Sequence, residues 1–288
     1  MNSRMLRNYS ICGRVITIGA PFFPADSENW QKFLVESAKS HITVECKVAE
    51  NLPEINAEWV KKGDCSYFTD GDVLCKRINM GTADGAVIKT KLNDPSQKEV
   101  TFVEGSFKTL MDERYMWSTI GLAESLLHFV ALLLHASFIE VDGEAILFTA
   151  PCQTGKSTQA ELWRQHCGAN VINGDKAGIL YDGGKVYACG VPFCGTSGIC
   201  HNETLPLGAI IFLSQSPENT LRKCVGFEAL HNVMQNTYLD FVAPDEQRRF
   251  VDTAIKMLNS VPVYHLGCTP DEGAVITLEK TLKAEGVI

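Results

Sequence analysis

The chain has 288 residues, a formal charge of -8 and a pI near 5.4, a balance that argues against nucleic acid or an anionic membrane surface as its partner. Hydrophobic residues at 45% and charged residues at 21% are ordinary for a globular chain long enough for one large domain or two modest ones. Its 11 cysteines are scattered without a CxxC pair, which excludes a recognisable zinc framework and fits reduced thiols acting as small core hydrophobes. With no long apolar run after Arg4 and Arg7, no signal peptide is expected, and the expected location is the cytoplasm.

Residues 1–112 read as a β-rich accessory domain of mixed α+β character. Ile11–Ile18 is apolar and is broken by Pro21 and Pro24. Glu28–Ser40 reads as a helix with Trp30, Phe33 and Leu34 on one side. Strand-like runs follow at Ile42–Val48, Val73–Ile78, Gly85–Lys91 and Glu99–Val103. Turn signals separate them at Lys62-Gly63-Asp64, Thr69-Asp70-Gly71 and Asn93-Asp94-Pro95. This region shows no repeat and no catalytic motif.

The texture changes near Tyr115, and residues 113–288 read as an α/β domain. A long apolar helix is expected over Met116–His135, leading into a strand at Ser137–Val141. The stretch Ser125–Ile139, which holds His128 and His135, is too short and too polar to cross a bilayer. Asp142-Gly143 predicts a hairpin turn and Ala145–Thr149 its returning strand. A helix from Lys156 to about His166, stopped by Gly168, comes next. Strands are expected at Asn170–Ile172, Gly178–Tyr181, Lys185–Cys189, Ala209–Leu213 and Val261–Leu266. Helices are expected at Phe227–Phe241 and Glu246–Leu258, the second presenting Val251, Ala254, Ile255 and Leu258 on one face. Thr269-Pro270-Asp271-Glu272 reads as a capping box with proline at the first helical position, opening the last helix.

The chemistry concentrates in Ala150-Pro151-Cys152-Gln153-Thr154-Gly155-Lys156-Ser157-Thr158, a P-loop between a strand and a helix. Backbone N–H groups and the helix N-terminus there suit phosphate oxygens. Lys156 is placed to reach the β- and γ-phosphates and Ser157 to help hold Mg²⁺. Cys152, Gln153, Thr154, Gly155 and Thr158 complete the expected nucleotide contact. The pattern is imperfect, because the usual first glycine is Ala150.

Asp175 lies nineteen residues after Lys156, at the end of the strand that follows the P-loop helix. A carboxylate there can bind Mg²⁺ or accept a proton from an incoming hydroxyl, although Asn173-Gly174-Asp175 is also ordinary turn chemistry. On its residues alone, His135 reads as a satisfied structural histidine, as does His128. The loop Cys194-Gly195-Thr196-Ser197-Gly198 reads equally as the lining of a substrate channel and as a plain glycine-rich loop. His201, Asn202 and Glu203 follow it and are weak candidates for the same cleft.

Leu134-His135-Ala136, the hairpin, Thr154-Gly155-Lys156-Ser157-Thr158 and Asp175 together resemble the HPr kinase/phosphorylase family. More distantly they resemble the nucleotide core of phosphoenolpyruvate carboxykinases. The resemblance covers residues from about Met116 onward and implies a P-loop HPr-kinase-like domain behind the smaller β-rich one. It implies ATP and Mg²⁺ as cofactors and a serine of a peptide or protein, or a small alcohol, as phosphoryl acceptor. By the same resemblance His135 lies near the transferred phosphate, and Asp175, with Ser157, serves the metal and proton transfer. The family's second aspartate position is Gly174 here, which leaves a second ligand to come from elsewhere, for example Glu203. The family's glutamate-arginine-glycine signature is replaced by Ala188-Cys189-Gly190.

The leading expectation is therefore an ATP-dependent kinase with Lys156, Asp175 and His135 as its catalytic residues. An ATP-binding partner in peptide maturation without turnover is the alternative. Carboxykinase chemistry, which would need several arginines, ranks below both. Self-association is left open.

Overall fold

The computed structural model describes residues 4–23, 27–36, 39–81 and 83–288. Contacts divide the chain into two units, 1–129 with 240–243 and 130–239 with 244–288, so the change falls after Phe129 rather than at residue 112. Among the described residues no helix is long and apolar enough to cross a membrane.

In the first unit, β1 (Met5–Ile11) and β2 (Arg14–Ala20) form a hairpin. The apolar run Ile11–Ile18 is thus folded back on itself. Cys12 and Gly13 turn it with φ of 50° and 65°, the left-handed pair that matches strand twist. The helix expected over Glu28–Ser40 is a single turn, α1 (Glu28–Gln31), capped by Ser27. Beyond it the backbone pairs with β1 instead: Ser10 N–H donates to Phe33 O at 2.8 Å and Val35 N–H to Asn8 O at 2.9 Å. Trp30 and Phe33 are buried, but Leu34 is exposed. Pro24 and residues 37–38, which carried parts of those expectations, lie outside the described residues.

Six further strands complete the sheet: β3 (Ile42–Ala49), β4 (Val60–Lys62), β5 (Cys65–Asp70), β6 (Val73–Met80), β7 (Ala83–Lys91) and β8 (Gln97–Val103). The order is β1-β2-β3-β8-β7-β6-β5-β4, with β2–β3 and β3–β8 parallel and every other pair antiparallel. β1, β4 and β5 were not foreseen in the sequence. Three short helices follow: α2 (Phe107–Leu110), α3 (Met116–Thr119) and α4 (Leu122–His128). The last two stand where a single helix was expected over Met116–His135. Gly121 at φ 61° separates α3 from α4, and Val130 at φ 58° ends the helical stretch.

The second unit begins with β9 (Ala131–Val141), whose residues are nearly all buried. A strand covered on both faces reads as an unbroken apolar run, which the sequence cannot tell from a buried helix. The Asp142-Gly143 turn leads to β10 (Glu144–Thr149), then α5 (Lys156–Cys167) stops at Gly168 with φ 67°. β11 (Asn170–Asn173), β12 (Lys176–Asp182), β13 (Lys185–Cys189) and β14 (Thr204–Gln215) follow. Next come β15 (Thr220–Lys223), α6 (Gly226–Gln235), α7 (Pro244–Leu258), β16 (Val263–Cys268) and α8 (Glu272–Ala284). The strand order is β10-β9-β12-β13-β14-β16-β15, with β11 on β9 and an added parallel pairing of β10 with β14.

Three expectations in this unit need correction. α6 stops at Gln235 rather than Phe241, because the chain turns back along β9: His135 N–H donates to Asn236 O and Tyr238 N–H to Leu133 O. The buried face of α7 is Phe250, Thr253, Ala254 and Met257, with Ile255 exposed. The cap of α8 is Asp271, which accepts from Gly273 N–H, so Pro270 precedes the helix. Thr269 is instead tied to Asn219.

Trp163 of α5 is fully buried against Phe148 of β10, with ring centroids 6.2 Å apart, in a cluster that includes Ile146 and Leu278. This contact seats α5, the helix that begins at Lys156. Trp163→Ala is expected to cost about 3–5 kcal/mol in urea unfolding, the range for an emptied aromatic site. A loss below ~1 kcal/mol would contradict that packing.

Candidate functional site

β10 ends at Thr149 and delivers the chain into the loop 150–155 and then α5. The left-handed conformations of this loop fall at Gln153, φ 63°, and Gly155, φ 117°. Ala150 is not one of them. It is buried in the core cluster beneath the loop, so the missing first glycine meets no backbone demand. No side chain caps α5, which leaves its first-turn N–H groups facing the loop side. The Lys156 ammonium is folded back on the loop, donating to Ala150 O at 2.9 Å and Pro151 O at 3.2 Å. Burial lowers its proton affinity, and the neighbouring Cys152 and Asp175 oppose that shift.

A cleft of about 310 Å³ is lined by His135, Cys152, Gln153, Gly155, Lys156, Ser157, Thr158, Gly174 and Asp175. The structure thus brings the residues expected to contact a nucleotide, except Thr154, together with both expected catalytic side chains, His135 from β9 and Asp175 from the turn before β12. Asp175 is held from two sides. His135 Nε2 lies 3.2 Å from Oδ1, and the Lys176 ammonium meets Oδ2. Burial on its own would raise the Asp175 carboxyl. The hydrogen bonds from His135 and Lys176 outweigh it and carry the group well below the usual carboxylate range. His135 and Lys176 are register partners across β9 and β12, so both side chains leave the same face of the sheet.

Lys176 was missed in the sequence, where a lysine beginning a strand looks like a solvated end. Here its residue is buried, with the ammonium 5.2 Å from the Tyr238 ring centroid and 6.0 Å from that of Phe193. Tyr238, also missed, lies 5.9 Å from the His135 ring. Burial first, and the Asp175 charge second, push its phenol far above the ordinary value.

The turn that presents Asp175 is built on Asn173, which is fully buried. Its Nδ2 donates to Val191 O at 3.1 Å and Phe193 O at 3.2 Å, while its Oδ1 accepts from the N–H groups of Asp175 and Lys176, each at 3.0 Å. Ser137 Oγ donates to Gly174 O at 2.9 Å, and Ser157 Oγ lies 3.5 Å from the same carbonyl.

The loop Cys194–Gly198 does not line this cleft itself but leans on the Asp175 turn. A Cβ at Gly174 would lie 2.5 Å from Ser197 Cβ and closer still to its Oγ, and one at Gly195 would lie 2.8 Å from Asp175 Cγ. Packing therefore leaves no room for a side chain at residue 174. Glu203, His201 and Asn202 are exposed and are not in the cleft lining. Among the described residues no group of three or more His, Cys, Asp or Glu is arranged to hold a metal.

Gly174→Ala should destabilise the protein by roughly 1–3 kcal/mol, the range for overpacking. Combining it with Ser197→Gly should recover most of that loss. Equal melting temperatures for Gly174→Ala and the unaltered protein would show that the loop does not occupy this space.

No family model matches the chain, and no curated protein matches it. Among solved structures it is similar to the HPr(Ser) kinase/phosphatase from Coxiella burnetii, at 14% identity and a TM-score of 0.31. The match covers 54% of this chain and 93% of that one. At that TM-score the likeness bears no weight for function, which has to rest on the cleft.

Proposed function

We propose that the chain is an ATP-dependent kinase that transfers the γ-phosphoryl group to a hydroxyl, with a serine of a peptide or protein as the acceptor. One observation carries this reading: the loop that opens at the N-terminus of α5 and the ionised Asp175 line a single cleft. The acceptor class comes from the sequence resemblance alone.

The residues fit a nucleotide with a magnesium ion. The cleft offers uncapped N–H groups, an ammonium with one donor beyond the two given to loop carbonyls, a hydroxyl at Ser157 and a carboxylate at Asp175. Two protein oxygens suit Mg²⁺, which takes its other ligands from phosphate and water. Bound with the nucleotide, Mg²⁺ would neutralise charge on the phosphates. Lys156 and the loop N–H groups would bind and orient the β- and γ-phosphates. Asp175, held ionised by His135 and Lys176, is better suited to face a cation than to accept a proton. A loose phosphoryl-transfer transition state asks little of a base, so positioning carries most of the catalysis.

The second reading, a partner that binds ATP without turnover, draws on the double tether of Asp175 and the closed position at Gly174. Carboxykinase chemistry finds no arginine among the lining residues of the cleft.

Purified protein with Mg·ATP and a library of serine peptides should yield phosphopeptide. Lys156→Ala should weaken ATP binding roughly 10- to 100-fold, the scale of a lost charge-assisted contact. Asp175→Asn should keep ATP affinity within a few-fold while transfer falls ~100- to 1,000-fold. ATP binding without transfer in the unaltered protein would favour the second reading, and unchanged binding in Lys156→Ala would overturn both.

A further inference from the structure

Among the described residues, Asp175 is the only carboxylate that lines the cleft, and the neighbouring position cannot supply another because Ser197 fills the space beside Gly174. That single carboxylate already carries a cation. The Lys176 ammonium meets Oδ2, while His135 takes Oδ1.

Lys176 is not free to swing away. Its side chain is nine-tenths buried, its ammonium lies near the rings of Tyr238 and Phe193, and its N–H is bound by Asn173 Oδ1. Its strand is registered to β9 with Lys176 opposite His135. A divalent ion approaching Oδ2 would meet a fixed like charge at contact distance.

We propose that Lys176 is a positioning residue of this site: its ammonium occupies Oδ2 of Asp175, where a second cation would otherwise bind, and so restricts the cleft to one divalent ion, brought in with the nucleotide. This inference rests on the nucleotide-binding reading above. The lysine ammonium then stands in place of a second metal ion, as a fixed positive charge that needs no loading. It also sets the plane of Asp175 so that the carboxylate's remaining lone pairs address the single ion.

The test is a Mn²⁺ titration of the full chain, followed by water-proton relaxation with and without a non-hydrolysable ATP analogue. The unaltered protein should bind Mn²⁺ weakly alone and one ion per chain with the analogue; two ions per chain would overturn the proposal. In Lys176→Met, nucleotide-free Mn²⁺ affinity should rise about tenfold or more, the scale on which a like charge at contact distance opposes another. Adding Asp175→Asn to that variant should abolish the gain, and Lys176→Arg should behave as the unaltered protein. Phosphoryl transfer in Lys176→Met should fall in kcat with the KM for ATP within ~3-fold, as expected when a group acts in the transition state rather than in binding. A merely structural lysine would give unchanged or weaker Mn²⁺ binding, and that result would overturn the proposal. Lys176→Gln replaces the methionine variant if the latter does not fold. The titration needs no turnover, so absence of transfer in the unaltered protein would defeat the kinase reading and leave the metal result to be judged separately.

Discussion

Everything in the cleft hangs on the side-chain amide of Asn173. It is fully buried, and both its donors and its acceptor are used inside the protein. The acceptor side fixes the turn that presents Asp175 and starts β12. The donor side ties the same turn to the segment that carries Phe193. A buried amide satisfied this completely is stiff, since any displacement strands a polar group away from water. The loop that closes over Gly174 and the ring beside Lys176 are therefore set by one anchor.

Two charges then share the electrostatic work. Lys156 is held by carbonyls from the first two residues of the loop 150–155, which places an ammonium close to the cleft. Lys176 is kept by a carboxylate: its residue is as buried as Lys156, its charge is paired, and its partner faces the cleft. With Lys176 buried and Asp175 half-buried, the pair contributes little net stability, but removing the carboxylate leaves a costly buried ammonium behind. Its value here lies in orientation.

Much of this was legible in the sequence, for identifiable reasons. The Asp142-Gly143 turn, the helix start at Lys156 and the stop at Gly168 are local signals, written in residues that need left-handed backbone or a helix start, and the structure places all three as read. The β9 run was misread because burial on both faces erases the alternation that marks a strand. The one-turn α1 was misread because pairing with β1 overrides a helical pattern, and such pairing has no local signature. Within the cleft, Asp175 was legible from spacing. Lys176 and Tyr238 were not, because their proximity comes from the register of β12 on β9 and from the return of residues 236–238 along β9. The closed space at Gly174 depends on a loop more than twenty residues away, which no motif reports.

β9 changes partners along its length. Residues 131–135 pair with β12, while residues 136–141 pair with β10. His135 stands at the crossing point: its carbonyl accepts from Thr149 Oγ1 at the last residue before the loop 150–155, and its N–H donates to Asn236 O. One strand thus acts as the ruler from which the spacing between loop, histidine and carboxylate is copied. Side chains alternate along it with a period of two, so a single residue gained or lost in residues 131–135 would send the imidazole to the far side of the sheet. Surface hairpins such as Asp182–Lys185 carry no such dimension and can vary in length without moving the cleft. The molecule's tolerance to insertions is therefore expected to be lowest in a strand that carries no nucleotide-binding motif of its own.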